Sequence, residues 1–202
     1  MRSLYRMTVA VGFSVAMVGF AHAQDWQVAK DQEGIQVSLS EVAGSKYKAY
    51  RGTTLIKAPL AKVRALQEDA AAACAWIHEC RQQKLLKLEG PDSWTYTQFN
   101  TPVLVTPRDS VIHVLSSIEA DGSILRKLEG VPIFIPEESG FVRVTEVEGF
   151  WKLTPKSAGT TEVTYQVHTE PGGSVPSWVA NKFVVDAPFN TLKALKALAE
   201  KP

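Results

Sequence analysis

The sequence predicts an α+β fold: a curved antiparallel sheet wrapped around one long C-terminal helix. From Ile35 to His168 most of the chain alternates apolar and polar residues over short stretches. The turn signals between these stretches are brief, whereas parallel strands need crossovers of about a dozen residues or more. The last thirty residues follow a helical period instead.

That helix opens at Gly172-Gly173-Ser174-Val175-Pro176. Ser174 is a capping residue, and proline fits a first turn because its missing N–H has no partner there. Trp178, Val185, Leu192 and Ala199 recur every seven residues, and Phe189 and Leu195 widen the stripe. Lys182, Asp186, Lys193 and Glu200 fall on another face, so one side meets an interior. Pro188 predicts a kink near the middle.

Met1–Ala23 reads as a cleavable signal peptide. Arg2 and Arg6 precede an apolar run from Met7 to Phe20, which ends at Ala21-His22-Ala23. The run is shorter than the ~20 residues needed to cross a bilayer. Cleavage after Ala23 leaves residues 24–202 as a single exported domain, and the residue directly after the cut is Gln24 rather than the Cys that would carry a lipid anchor. The absence of an Asn-x-Ser/Thr acceptor in the mature chain favours a bacterial periplasm over a eukaryotic secretory route.

Twenty-two Lys and Arg against 21 Asp and Glu give a net charge of +1, and losing Arg2 and Arg6 makes the mature chain slightly negative. No basic concentration suggests nucleic acid. Lys193, Lys196 and Lys201 complement the dipole at the helix end.

Taken in order, Trp26 and Val28 lead into a turn at Asp31–Gly34, and Ile35, Val37 and Leu39 begin a half-buried strand. Tyr47–Lys57 is a second strand, and Pro59 starts a helix to about Asp69. Ala70–His78 is Ala-rich and reads as helical. Cys74 and Cys80 are a disulfide candidate in an oxidising compartment. On an unbroken helix they stand ~9 Å apart, so a bond requires the helix to end between them; two buried thiols are the alternative.

Lys84–Leu88, Thr95–Asn100, Val111–Ile118 and Ser123–Leu128 are four further strands. Val131–Gly140 is apolar but interrupted by Pro132 and Pro136, which excludes a central strand and predicts a loop carrying Ile133 and Phe134 onto something hydrophobic. Phe141–Leu153 and Thr161–His168 are the last two strands.

Several pieces then form an ordered set: Gly34-Ile35-Gln36-Val37, Trp76 before Cys80, Pro107-Arg108-Asp109, Gly140-Phe141-Val142-Arg143, Trp151-Lys152-Leu153-Thr154-Pro155, Thr164-Tyr165 and Pro171 through Trp178. The set resembles START domains, the StAR-related lipid-transfer modules, over the whole mature chain. The resemblance implies the helix-grip fold, with an apolar tunnel between sheet and helix. It also implies a mouth closed by a loop, here Val131–Gly140, and by the start of the last helix, roughly Val175–Val185. The residues it suggests for ligand contact are Arg108, Ile112, Val114, Ile133, Phe134, Trp151, Trp178, Val185 and Phe189. Arg108 is the candidate for orienting a head group, with pairing to Asp109 or another carboxylate as the alternative. Some family members carry a second Arg six residues further on; Val114 stands there. Sterol specificity therefore does not carry over, and sterol, fatty acyl, phospholipid and isoprenoid ligands all stay open.

Enzymatic use of the same cavity is the competing expectation. The mature histidines are His78, His113 and His168, and no Gly-x-Ser-x-Gly elbow, metal set or phosphate loop accompanies them. The reading is a monomeric, non-enzymatic lipid carrier or sensor with no cofactor or metal, in transient contact with membranes. A small-molecule enzyme is the alternative, and a protein-binding scaffold a weaker third.

Overall fold

A computed structural model describes residues 25–102, 105–157, 159–175 and 177–202, without the side chains of 177, 178, 181 and 182. The signal segment 1–23 lies outside the described residues. The strands are β1 (Gln27–Gln32), β2 (Ile35–Ser40), β3 (Ala49–Ile56), β4 (Cys80–Glu89), β5 (Asp92–Phe99), β6 (Arg108–Ile118), β7 (Ile124–Gly130), β8 (Val142–Arg143), β9 (Glu146–Pro155) and β10 (Thr161–Glu170). The helices are α1 (Leu60–Glu68) and α2 (Ser177–Ala199).

All ten strands join one sheet in the order β1-β2-β3-β10-β9-β7-β6-β5-β4, with β8 pairing β6 off that path. Neighbours along the path are antiparallel, as short turns demand; β8 alone runs parallel, setting Arg108 beside Val142 and Asp109 beside Arg143. Early and late chain meet at the centre, where Thr161 faces Ile56 and Val163 faces Thr54.

Alternation decides which face is buried. Ile35, Val37, Ile56, Leu153 and Val163 point inward and are almost inaccessible. Leu192, Leu195 and Ala199 of α2 pack into this cluster, and α1 adds Val63. The helix sits so close to β3 that a Cβ on Gly52 would come within 2.6 Å of Leu192 Cδ1. Glycine there permits the contact. Pro188 lies inside α2, fully buried.

Three expectations are corrected. Gln27–Gln32, read only as a lead into a turn, is the edge strand β1. Its residues are mostly exposed and its Lys30 lies over the Phe189 ring at 3.6 Å, so it carries little alternation to read. Ala70–His78 is helical only as a 3₁₀ turn at Ala73–Ala75. Asp69 Oδ1 accepts from the N–H groups of Ala71 and Ala72 at 3.1 Å each, and the Cys74–Cys80 bond, with Cα atoms 4.9 Å apart, turns the chain into β4. Phe141–Leu153 is two strands, because Val144 N–H donates to Asp109 O at 2.8 Å while Thr145 N–H donates to Glu170 O at 3.2 Å.

Candidate functional site

The two halves of α2 carry different residues. Its C-terminal half fills the space over β2 and β3 with leucines, while its N-terminal half presents Val179, Ala180, Phe183, Val184 and Ala187 to the rest of the sheet, with Thr191 just past the midpoint. Alanines at 180 and 187, two turns apart on one face, are too short to reach the opposite wall. A cavity of about 270 Å³ is left between them, close to the lower end of the ~300–1,000 Å³ usual for small-molecule sites.

The sheet side of the cavity is Arg108, Ser110 and Ile112 of β6, Leu128 of β7, Val147 of β9, Tyr165 and Val167 of β10 and Tyr50 of β3. Its rim comes from Ile77–Glu79, from Phe99, Asn100, Thr101, Pro102 and Val105, and from Pro171 and Val175. His78 N–H donates to Thr191 Oγ1 at 3.1 Å, tying the first rim segment to α2. Gly172, at φ +68°, turns the chain into the third; a Cβ there would lie 2.7 Å from Arg143 O.

Few polar groups reach this apolar space. The Arg108 guanidinium donates from Nη1 to Thr106 O and from Nη2 to Gly172 O at 3.3 Å, linking two rim segments. Among the described residues its Nε, and the Oγ of Ser110, are buried without a partner. Burial pulls the Arg108 pKa down, opposed by Tyr47. Burial also pushes the phenols of Tyr50 and Tyr165 above their ordinary value of 10.0, with Tyr165 raising Tyr50 further. Both rings meet edge to face at 5.2 Å and stay neutral at ordinary pH.

The expected contact residues divide. Arg108 and Ile112 line the cavity. Arg108 is not paired with Asp109, whose carboxylate is taken by Arg143. Val114 is the next inward position beyond Ile112 and lies in the packed core. Trp151 is not a lining residue; it stands beside the wall on β9, opposite Tyr165 of β10 and stacked on it at 3.7 Å between centroids. The cavity takes Val184 rather than Val185, one residue and ~100° away on the helix. Phe189 is buried under Lys30 instead. The Trp178 side chain lies outside the described residues.

Ile133 and Phe134 do not face the cavity. Ile133 is 95% exposed, and Phe134, 42% exposed, stacks on Trp94, which stacks on His113 on the outer face of β5 and β6. Their loop is tied down. Arg143 donates from Nε and Nη2 to the two oxygens of Asp109 at 2.9 and 3.0 Å. Its remaining N–H groups reach Pro132 O at 2.5 Å, Ile135 O at 3.2 Å and Pro136 O at 3.1 Å. The Asp109 hydrogen bonds, then its charge, hold the Arg143 pKa up.

Sequence reasoning missed Ala180, Phe183, Ala187, Tyr50, Phe99, Asn100, Thr101, Pro102 and Val105 as cavity residues. Small residues two turns apart on an apolar face were the available signal for the alanines. Among the described residues, no group of three or more His, Cys, Asp or Glu is placed to hold a metal, and no helix is long and apolar enough to cross a membrane.

The START domain family matches residues 19–201. An uncharacterized protein of Pseudomonas aeruginosa is 57% identical over 201 residues, covering 100% of both chains. The crystal structure of a STAR-related lipid transfer protein from Xanthomonas axonopodis superposes with a TM-score of 0.82 at 39% identity, covering 87% of this chain and 99% of that one. Human StAR-related lipid transfer protein 5 shares the fold, with a TM-score of 0.75 at 22% identity and coverage of 87% and 88%.

Proposed function

The chain belongs to the START domain family along essentially its whole length, and on that footing we propose that it binds a lipid in the cavity beneath α2 and serves as a non-enzymatic lipid carrier or sensor. The cavity carries this reading: apolar walls with two unpartnered polar atoms, Arg108 Nε and Ser110 Oγ. Each CH₂ group moved from water onto such walls gains ~0.8 kcal/mol, so an acyl or isoprenoid chain is held without directional contacts. A polar group of the ligand near the rim meets Arg108 and Ser110, which fixes the direction in which the chain lies.

The rim segments around Asn100, His78 and Gly172 are the parts that separate to admit it, and Arg108 spans two of them through Thr106 and Gly172. A carrier needs no reaction step. Among the described residues no histidine ring is hydrogen-bonded to a hydroxyl or thiol; His78 meets Asn190, His113 meets Asp92 and His168 meets Glu170. Export to the periplasm after cleavage at Ala23, action as a monomer and brief membrane contact during loading complete the proposal.

Native mass spectrometry of the protein, recovered from the cell envelope without detergent, tests it. A near-stoichiometric lipid, identified after solvent extraction, is the expected result. Protein that is empty and also refuses a panel of fluorescent lipids overturns the reading.

A further inference from the structure

Beyond the cavity floor lies a second polar group that lipid packing does not use. Arg126 is the next inward position after Leu128 on β7, and its cross-strand neighbours are Ser116 on β6 and Trp151 on β9. Trp151 stacks on cavity-lining Tyr165 and meets the edge of Trp76 at 5.9 Å. From the other side α1 lays Gln67 against the arginine, whose Nη1 donates to Gln67 Oε1 at 3.2 Å. The Trp151–Tyr165 stack therefore stands between the cavity and this cluster.

The cluster has more donors than acceptors, its Gln67 Oε1 being already taken by Arg126 Nη1. Trp76, Arg126 and Gln67 are 6%, 8% and 9% exposed. Among the described residues Trp76 Nε1, Arg126 Nε and Gln67 Nε2 are buried with no hydrogen-bond partner. Glu68 acts on Arg126 through its charge but is itself bound by Arg64 at 2.7 Å, and burial outweighs it, lowering the Arg126 pKa. An arginine nevertheless keeps its proton in proteins. Arg143 shows the contrast: it is equally buried, but both oxygens of Asp109 balance its charge. A buried guanidinium without such a partner is among the costliest arrangements a fold can carry.

All three orphaned groups donate, and the single formal charge is positive. A neutral hydroxyl oxygen accepts at most two of these three hydrogen bonds and leaves the charge unbalanced; a carboxylate or phosphate has acceptor sites for all three and balances the charge, and its oxygens match the guanidinium fork. We infer that Arg126, Gln67 and Trp76 form an oxyanion site, filled by the acid group of a lipid that extends past the Trp151–Tyr165 stack or by a free inorganic anion. The lipid source rests on the proposed carrier function; the anion chemistry does not.

The test compares a fatty acid with the fatty alcohol of equal chain length as competitors of a fluorescent lipid. In parallel, the thermal midpoint is followed in inorganic phosphate and in chloride of equal ionic strength. With the lipid source, the acid competes at least about tenfold better than the alcohol, and Arg126→Met removes that preference while leaving the alcohol unchanged. With the free-anion source, phosphate raises the wild-type midpoint above chloride and leaves that of Arg126→Met unmoved. Equal competition by acid and alcohol, together with no phosphate shift, overturns the site. If neither lipid binds, the carrier reading fails alone and the phosphate comparison still decides. Should Arg126→Met not fold, Gln67→Leu replaces it, and the wild-type contrasts need no variant.

Discussion

Over its C-terminal half α2 buries Leu192, Leu195 and Ala199 against β2, β3 and α1, whereas over its N-terminal half Ala180 and Ala187 face β6, β9 and β10 across a cavity. One helix and one sheet thus make a packed end and an open end. Side-chain length is the difference: leucine spans the helix-to-sheet gap and alanine does not. Stability is concentrated at the packed end, and the open end is free to hold a ligand.

Exchanging the two chemistries breaks the comparison most directly. Leu192→Ala at the packed end should cost about 2–5 kcal/mol of unfolding free energy, from lost transfer energy plus the void left beside Gly52. Ala187→Leu at the open end should leave stability within about 1 kcal/mol of wild type, or raise it, because the new side chain enters existing space. It should weaken lipid binding at least about tenfold, or ~1.4 kcal/mol. Urea unfolding and fluorescent-lipid titration on both variants read the outcome. A strongly destabilised Ala187→Leu would mean that the open end is already filled.

The alkaline limb of the stability curve sharpens the same contrast. Tyr50 and Tyr165 have folded-state pKa values raised above 10.0, first by burial. Below that value both states keep the proton and stability does not depend on these groups. Above it the unfolded chain releases protons that the folded chain retains, so stability falls as pH climbs past about 10. Tyr50→Phe should flatten that fall in urea midpoints measured from about pH 9 to 11. An unchanged slope would show that water reaches the open end and hydrates the phenolate.

Legibility in the sequence follows the same division. Strands whose alternation meets the packed core, such as Ile35–Ser40 and Thr161–Glu170, could be read from period alone, and the ordered START-like pieces supplied their arrangement. Where tertiary contacts override local propensity, reading failed. The Ala-rich stretch 70–78 has helical propensity, but the Cys74–Cys80 bond and the hydrogen bond from His78 to Thr191 hold it as a turn. Arg108 and Ile112 were found because strand parity and the family resemblance agree there. Asp109 and Arg143 are 34 residues apart and meet only through the parallel β6–β8 pair, which no local pattern announces. Val185 and Phe189 missed the cavity because a sequence stripe cannot say which wall a given turn of helix will face.

The smallest effect is expected where the family resemblance implied a closing loop. Phe134 looks like the tip of an apolar lid, yet it rests on Trp94, outside the cavity, in a loop whose carbonyls at 132, 135 and 136 accept from Arg143. Phe134→Asp should therefore change stability by about 0.5 kcal/mol or less and leave lipid uptake at the wild-type rate, because it removes a half-exposed stack without touching the cavity wall. Stopped-flow transfer from vesicles measures that rate. A several-fold slowing with stability intact would place Phe134 in membrane contact during loading, giving the outer aromatic patch a kinetic role distinct from ligand binding.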